Sequence, residues 1–554
     1  MALQTLRPVR STLYRGGAAY SPADPFAEAM LVVGDTVAWI GSADAAAGYV
    51  DAADEVVELA GGLVAPAFVD GHAHLAETGL ALTGLDLTVA TSVDDVLSMV
   101  ARAARGSSGV LLGHGWDEGT WPDGRTVTRA ELDRAAPGRA VYLARVDVHS
   151  AVVSTVLAEQ HRLADLPGWH DDGRIERDAH HAARALTRDR LSPAHRRRLH
   201  EAALTAAAAA GIGCVHEMSA PHIAPVDDLT RLHTLVQDAR QDPDRSALPL
   251  VIAYRGALAG TDAEVRRLVD ELALPAGAEL RGLAGDLCID GSLGSRTAAV
   301  RLPYRDADTS GHRYLDVDDV RDHVAACTRA GLQAGFHVIG DAALDVAVAG
   351  FRAAADLVGA PAVRAGRHRL EHLEMVDADA VATLADLAVT ASVQPAFDAV
   401  WGGATGMYAQ RLGAERAAAM NPFAALSRAG VALVLGSDSP VTPFDPWGAV
   451  AAAAQHRTPS SRISVRAGFL TATRGGWRAA GIDGQGVLAP GSRATFAVWS
   501  RTDLVVQTPD DRVRAWSTDP RSGTPGLPDL SAGVGRPRCL RTVIDGQIAF
   551  DIAA

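Results

Sequence analysis

Short apolar segments alternate with longer amphipathic segments through the middle of the chain. The amphipathic stretches have helical periodicity and acidic starts, as in 316–331, 341–359 and 377–387. The apolar segments that we predict as strands are residues 64–69, 213–216, 248–254, 285–289, 333–338, 367–373, 389–394 and 431–436. Eight strands that alternate with helices predict an α/β fold, a (β/α)8 TIM-like barrel with its active site at the carboxyl ends of the strands. A doubly wound open sheet is the alternative.

The two ends of the chain have a different pattern, that of short strands joined by tight turns. Each end contains a Gly and an Asp side by side between two apolar runs, at 30–40 and at 542–550, which is typical of a hairpin. Neither end is long enough to build a core alone, so we expect both to form one small β-sandwich. We predict a composite β-sandwich domain from 1–64 plus 485–554, and a barrel domain from 65–484.

About 130 residues separate the first predicted strand from the second, far more than one crossover helix needs. We therefore predict that residues 77–205 form an inserted subdomain after the first barrel strand. An insertion that leaves from the catalytic end of a barrel would form a wall of the site.

The chain has no lysine, so all 52 of its basic residues are arginine. This excludes a Schiff-base lysine, a phosphate-binding loop that ends in Gly-Lys, and a carbamylated lysine between two metals. The 66 acidic residues give a net charge of −14, which repels nucleic acid. We expect a small-molecule substrate and no nucleic-acid partner.

The four cysteines show no paired spacing, which is typical of a reducing compartment and argues against a disulfide framework. The first residues lack the apolar run of a signal peptide, and no run approaches the ~20 apolar residues of a membrane span. We expect a cytoplasmic protein without a membrane partner.

Four histidines and one aspartate lie at predicted strand ends. His72 and His74 are two positions apart, so on a strand both imidazoles point to the same side. His337, His372 and Asp438 end or follow the fifth, sixth and eighth predicted strands. The pair at 72 and 74 alone is also compatible with a polar turn after a buried strand. The recurrence at one end of a barrel predicts a metal site.

Several motifs together resemble the metal-dependent amidohydrolase superfamily: HAH after PAFVD, HVIGD, EHLE and GSDSP. The segments DGSLGSRTA (290–298), GHGWDEGTWP (113–122) and ARVDVHSA (144–151) resemble its amidohydrolase-3, YtcJ-like branch. The resemblance implies a TIM barrel, one or two divalent metals (usually zinc), hydrolysis of a C–N bond, and a homodimer. Carried onto this chain, it makes His72, His74, His337, His372 and Asp438 the metal and catalytic set.

One position departs from the family's pattern. Many relatives have a metal-bridging lysine four residues before the aspartate of DGS, where this chain has Asp286. Asp286 could bridge two ions, bind one ion, or only hydrogen-bond nearby. We favour a single ion, most simply zinc, with His372 contacting the substrate or the metal-bound water. The core ligands of that ion would be His72, His74, His337 and Asp438.

The expected reaction is hydrolysis of an amide, imide or carbamate-like non-peptide C–N bond through a metal-activated water. Asp438 would be the general base that passes the proton to the leaving nitrogen, and a protonated His372 would help to stabilise the oxyanion. One alternative is an isomerase or lyase reaction on the same barrel. Another, suggested by the missing lysine, is a metal-free scaffold without activity.

Substrate contacts are predicted less specifically, because ordinary packing explains most of these residues equally well. Trp121, Phe397 and Trp401 fall in predicted rim loops, which suggests a modest, partly apolar substrate. His216 is predicted at the tip of the second strand. The candidate substrate-binding residues are Trp116, Arg145, His149, Asp290, Ser292, Arg296 and Gln394.

Overall fold

The computed structural model describes residues 10–106, 109–122, 124–242, 244–278, 280–506 and 524–552. Eight parallel strands form its central sheet, which confirms the predicted barrel. The strands are Phe68–Ala73, Ile212–Ser219, Leu250–Arg255, Leu280–Leu283, Gln333–Val338, Arg369–His372, Thr390–Val393 and Leu433–Leu435. A parallel bridge between Ala73 and Ser439 joins the last strand to the first. Residues 1–9, 507–523 and 553–554 of the predicted sandwich domain lie outside the described residues.

Helices surround the barrel, and local sequence sets their ends. The helix Val317–Ala330 begins at Asp316, whose carboxylate accepts the backbone N–H groups of Asp318 and Asp319, and it ends at Gly331 with φ +70°. The helices after the second barrel strand are Asp228–Gln241, Asp262–Leu272, Val317–Ala330, Asp341–Val358, Ala360–Gly366, Ala378–Asp386, Pro395–Trp401, Met407–Leu412, Ala414–Ala418, Phe423–Arg428, Pro446–Ala454, Val465–Thr471 and Arg474–Ala479.

The segment between the first two barrel strands is an inserted subdomain with its own five-stranded sheet. Its strands are Leu85–Asp86, Leu111–Trp116, Val141–Arg145, Ser150–Val153 and Arg174–Glu176. Its helices are Leu75–Thr83, Val93–Gly106, Arg129–Ala135, Thr155–Gln160, Arg177–Asp189 and Pro193–Ala209.

The two ends of the chain meet in a β-sandwich. One sheet is N-terminal, with strands Ser11–Arg15, Ala29–Val33, Thr36–Gly41 and Glu55–Glu58, and the short helix Ala43–Ala46 follows its third strand. The other sheet combines Ala18–Ala19 and Leu63–Pro66 with Phe496–Trp499, Cys539–Ile544 and Gln547–Asp551. Tyr14 packs edge-on against Phe496, with ring centroids 5.1 Å apart, in the core between the sheets. A further pair, Leu504–Val505 and Leu527–Pro528, is separate. The domain boundaries at 64/65 and 484/485 stay predictions.

Three sequence predictions need correction. The first barrel strand is Phe68–Ala73 and not 64–69, because residues 64–66 belong to the sandwich strand Leu63–Pro66. The fourth strand is Leu280–Leu283 and not 285–289, because Gly285 adopts φ +91° and the chain bends there. Asp286 therefore follows the strand. His216 lies inside the strand Ile212–Ser219 and not at its tip, since this strand continues to Ser219. Among the described residues, no single helix passes as a membrane span by length and hydropathy; only the bent pair Asp341–Val358 and Ala360–Gly366 does so together.

Gly79 allows the helix after the first barrel strand to touch the last helix of the inserted subdomain. A Cβ at this position would lie 2.3 Å from the backbone oxygen of Leu199. We predict that Gly79→Ala lowers the free energy of unfolding by about 1–3 kcal/mol, because the two helices must separate. The control is Gly48→Ala, where a Cβ meets nothing within 4 Å, and we expect no loss there. Denaturant unfolding measures both, and equal stabilities would contradict this packing.

Candidate metal and catalytic site

The five residues predicted from strand ends lie in one buried cluster. His72 is on the first barrel strand, and His74 follows it directly. His337 is on the fifth strand, His372 ends the sixth, and Asp438 follows the eighth. All five side chains belong to buried residues. The ring centroid of His72 lies 5.2 Å from that of His74 and 5.0 Å from that of His372. The ring centroids of His337 and His372 are 4.4 Å apart.

Two carboxylates face the two imidazoles of the HAH segment. His74 Nε2 lies 3.2 Å from Asp286 Oδ2 and 3.2 Å from Asp438 Oδ1. His72 Nε2 lies 3.5 Å from Asp286 Oδ1 and 3.4 Å from Asp438 Oδ1. Asp286 thus belongs to the centre of the cluster. We call His72, His74, Asp286 and Asp438 the four-residue centre.

Hydrogen bonds on the outer side fix which ring nitrogen faces the centre. His74 Nδ1 donates to the backbone oxygen of Met218 at 2.8 Å, and His72 Nδ1 donates to Glu371 Oε2 at 2.9 Å. The corresponding partner of His372 Nδ1 is Gln394 Oε1 at 2.9 Å. Each Nε2 is therefore left as the inward-facing atom. This is the arrangement by which proteins orient metal-binding histidines.

Glu371 and Arg369, which the sequence analysis did not single out, form the support behind His72. Both residues are fully buried, and Arg369 Nη2 donates to Glu371 Oε2 at 2.9 Å and to Gly71 O at 2.8 Å. The Arg369 guanidinium also lies 4.6 Å from the ring centroid of Tyr254. The two residues alternate on one strand, so the spacing of Arg-Leu-Glu could have placed both in the barrel interior. His216 contacts this group through Arg369 Nη1 at 3.1 Å.

The charges in the four-residue centre shift the pKa of each of its four side chains. Burial alone would lower the pKa of His72, but the carboxylates of Asp438, Glu371 and Asp286 raise this pKa to about 9. Burial likewise opposes protonation of His74, whose pKa Asp286 and Asp438 nevertheless hold well above its ordinary value. Burial would raise the pKa of both aspartates, yet the neighbouring histidines hold both values well below the usual range. Both carboxylates are ionised.

The pKa of His372 is shifted in the direction opposite to those of His72 and His74. Burial, and then the neighbouring His337, lower the pKa of His372 to about 3. This shift favours the neutral imidazole, and the role of a protonated His372 at an oxyanion stays a prediction. Its inward Nε2 has no hydrogen-bond partner among the described residues.

The nitrogen–oxygen contacts of the four-residue centre have the spacing of ligands around a divalent cation. In tetrahedral zinc sites with bonds of ~2.0–2.1 Å, neighbouring ligand atoms lie about 3.3–3.4 Å apart, close to the 3.2–3.5 Å contacts found here. His72 Nε2 and Asp286 Oδ1 are buried without hydrogen-bond partners among the described residues. Two carboxylates and two neutral imidazoles balance the charge of such an ion. The candidate ligand groups are His72, His74 and Asp286, and His72, His372 and Asp438.

His337 lies at the edge of this arrangement. Neither candidate ligand group includes it. Its Nδ1 lies 3.6 Å from Asp290 Oδ1, and its ring centroid lies 5.0 Å from that of His149. The prediction that His337 is a metal ligand stays a prediction.

A cavity opens from the cluster towards the inserted subdomain and the loops after strands six to eight. Its free volume is about 30 Å³, room for one or two waters, so a substrate must displace wall side chains. Three of the predicted substrate-binding residues line it, namely Arg145, His149 and Ser292. Residues that the sequence analysis did not select also line it: Asp147, Leu293, Ile339, Glu374, Met407, Tyr408 and Val441, beside the predicted rim residues Phe397 and Trp401.

The structure does not bring the other predicted substrate-binding residues to this cavity. Trp116 is buried, and its indole N–H donates to Leu143 O. The carboxylate of Asp290 accepts the backbone N–H groups of Ala299, Ile339 and Gly340, which explains its burial without a ligand. The other two have protein partners: Arg296 pairs with Asp306, and Gln394 bonds His372.

Metal uptake should release protons. With raised pKa values, His72 and His74 are protonated at pH 7 before metal binds, whereas a metal ligand must be a neutral imidazole. We predict that zinc binding at pH 7 releases about two protons, and that affinity falls as the pH is lowered from about 9, because protons compete better. Calorimetry in buffers of different ionisation enthalpy measures this release. Binding without proton release, or affinity independent of pH, would contradict these charge states.

Comparison with known proteins finds similarity over most of the chain. Residues 55–550 match the model of the "Amidohydrolase family". The chain is 27% identical over 504 residues to "Protein LONG AFTER FAR-RED 3" of Arabidopsis thaliana, covering 86% of this chain and 84% of the relative. It is 27% identical to "Putative amidohydrolase YtcJ" of Bacillus subtilis (strain 168), covering 71% and 73%.

Two further similarities bear on chemistry and fold. The chain is 23% identical over 446 residues to "N-substituted formamide deformylase" of Arthrobacter pascens, covering 77% of this chain and 80% of the relative. The solved structure of an uncharacterized metal-dependent hydrolase from Pyrococcus horikoshii OT3 matches with a TM-score of 0.69 and 26% identity, covering 89% of this chain and 97% of that chain.

Proposed function

Since the chain belongs to the amidohydrolase family, we propose that it hydrolyses a non-peptide C–N bond of an amide, with one divalent cation in the four-residue centre. The observation that carries this proposal is the set of inward-facing nitrogen and carboxylate atoms 3.2–3.5 Å apart, of which those of Asp438 belong to a residue that lines the cavity. Zinc suits this set, because two imidazoles and two carboxylates are ordinary zinc ligands.

His72, His74, Asp286 and Asp438 would hold the cation, and His372 lies beside them. A bound divalent cation supplies Lewis-acid chemistry, since it polarises a carbonyl group and lowers the pKa of water to about 7. Asp286 takes the place of the usual lysine as a direct carboxylate ligand. A single ion is favoured because both candidate groups use His72, which offers one inward nitrogen.

Asp438 is the proposed general base. It lines the cavity, it is ionised, and its Oδ1 faces both imidazoles of the centre. Its backbone N–H donates to His72 O at 2.8 Å, which fixes the carboxylate against the first strand. From this place it can take a proton from the attacking water and return it to the leaving nitrogen. Gln394 holds His372 through its Nδ1 and leaves Nε2 as the inward-facing atom.

The first compounds to test are formamides with one substituent on nitrogen, because a relative is named for that activity. Hydrolysis would release formate and a primary amine in equal amounts. Conversion of a compound without amine or ammonia release would favour an isomerase or lyase reaction instead.

Asp438→Asn should lower kcat by about 10²–10⁴-fold, because the amide cannot accept the proton from water. Substantial zinc should remain, since His72, His74 and Asp286 are intact. Amine release from N-benzylformamide and zinc content by elemental analysis are measured on the same preparation. The control is Asp379→Asn, an aspartate with 70% of its side chain exposed, which should keep full activity. Turnover near that of the wild type in Asp438→Asn would reject this assignment.

A further inference from the structure

The helix Arg177–Asp189 of the inserted subdomain carries two buried arginines that the proposed mechanism does not use. Arg184 and Arg188 are each 5% exposed, and they lie four positions apart, so both are on the same face of the helix. His181, three positions before Arg184, lies on this face as well. A buried face with positive charge requires an explanation, because arginine is rarely buried without a partner.

The two arginines share one carboxylate, and Arg188 uses both of its oxygens. Arg188 Nε donates to Glu77 Oε1 at 2.8 Å, and Arg188 Nη2 donates to Glu77 Oε2 at 2.7 Å. Arg184 Nε lies 3.7 Å from Glu77 Oε1, which is beyond hydrogen-bonding distance, and it has no hydrogen-bond partner among the described residues. Glu77 supplies one negative charge for two guanidinium groups, so one positive charge of this buried group is not balanced.

Two imidazoles lie near Arg184. The rings of His181 and His222 stack with their centroids 4.5 Å apart, and both residues are partly exposed. Burial, and after it the charge of Arg184, lower the pKa of His181 to about 4. Burial and the charges of His181 and Arg184 hold the pKa of His222 well below its ordinary value. These shifts favour neutral imidazoles, each of which has one N–H donor.

This group adjoins the four-residue centre. The carboxylate of Asp286 raises the pKa of both His181 and His222 against the effect of burial, and His149, which lines the cavity, acts on the pKa of His222 as well. Asp286 also has the most exposed side chain of the centre, at 13%. It does not supply the missing counter-charge, since a divalent cation balances the two aspartates. We call Arg184, His181 and His222 the cationic wall.

We propose that the cationic wall binds a carboxylate group of the substrate, so that the enzyme selects amides that carry a negative charge away from the scissile bond. One unbalanced positive charge and two neutral donors suit a singly charged carboxylate better than a phosphate, which carries about two charges. This inference rests on the proposed hydrolytic function and adds the substrate class. Hydrolysis consumes one water, breaks the C–N bond and gives an amine and a carboxylic acid, one of which keeps the additional carboxylate. Arg184 is a substrate-binding residue in this scheme, and Asp438 remains the base.

Matched pairs of amides isolate the negative charge. N-formylglycine, N-formyl-β-alanine and 4-formamidobutanoate separate a carboxylate from the nitrogen by one, two and three methylene groups. N-ethylformamide, N-propylformamide and N-butylformamide have a methyl group in its place. N-ethylsuccinamate and N-ethylbutanamide form the corresponding pair with the charge on the acyl side.

The zinc-loaded wild-type enzyme should prefer the best anionic compound over its neutral partner by at least about tenfold in kcat/KM, because a guanidinium–carboxylate contact is a charge-assisted hydrogen bond. Arg184→Met should lower kcat/KM for that compound by about 10–100-fold and change that for the neutral partner by less than about threefold. Arg184→Lys, which keeps the charge, should keep a preference of about threefold or more.

Stability separates a binding role from a structural role. Replacing a purely structural arginine would lower the melting temperature and would affect both members of a pair equally. We expect Arg184→Met to melt at the same temperature as the wild type or higher, because a buried charge without its own counter-ion is removed. The matched control is Arg190→Met, an exposed arginine at the end of the same helix, which should change neither kcat/KM nor the preference. If Arg184→Met does not fold, Arg184→Gln should reduce the preference about threefold or more.

Stabilisation of the zinc-loaded proteins by each compound is measured in parallel, so the test does not depend on turnover. At least one anionic compound should raise the melting temperature of the wild type more than its neutral partner does, and Arg184→Met should remove this difference. If that pattern appears without amine release, the proposed hydrolysis fails and the assignment of Arg184 stands.

Three results would overturn the assignment of the cationic wall. The first is an equal preference for the anionic compounds in wild type and Arg184→Met. The second is equal stabilisation of both proteins, which indicates a carboxylate that binds only the zinc ion. The third is the absence of both turnover and stabilisation with every anionic compound.

Discussion

The hydrogen bonds on the outer nitrogens of the histidines determine what the centre of this barrel can bind. His72 donates to Glu371, whose charge is balanced by Arg369 in the same buried strand. His74 donates to a backbone oxygen of the second strand. Because these partners occupy Nδ1, both Nε2 atoms point to the two aspartates. Removing one partner of a buried pair such as Arg369 and Glu371 typically costs about 3–5 kcal/mol, because the other charge is left uncompensated. The contacts that orient the His72 ring therefore depend on both residues.

The centre combines groups that would not otherwise be placed together in a protein interior. Two ionised aspartates lie within 3.5 Å of two imidazoles. Without a cation, the imidazoles must be protonated to balance those charges. With a divalent cation, neutral imidazoles suffice. The unpaired buried atoms at His72 and Asp286 lower the stability of the fold, and a bound cation would compensate for this. Such a cost is usual at sites that are selected for function.

The sequence was sufficient to predict the barrel, because alternation of apolar strands and amphipathic helices is a local signal. It also predicted which strand ends carry the cluster, since parallel strands bring their carboxyl ends together. The position of the fourth strand was not predictable from hydropathy. Residues 285–289 resemble a strand in hydropathy, whereas the positive φ of Gly285 and its close approach to Met218 are features of the folded structure. Glu374 and Tyr408 were missed because they converge only in three dimensions, 34 residues apart. The direction of Asp286 was likewise set by the bend after the strand and not by alternation.

The central claim is that His72, His74, Asp286 and Asp438 bind one divalent cation. An anomalous difference map from zinc-loaded crystals, recorded on both sides of the zinc absorption edge, tests it most directly. We expect one strong peak per chain, within about 2.0–2.2 Å of His72 Nε2, His74 Nε2 and an oxygen of each aspartate. A peak bound elsewhere, two peaks of equal height, or an aspartate at position 286 turned away from the ion would contradict it.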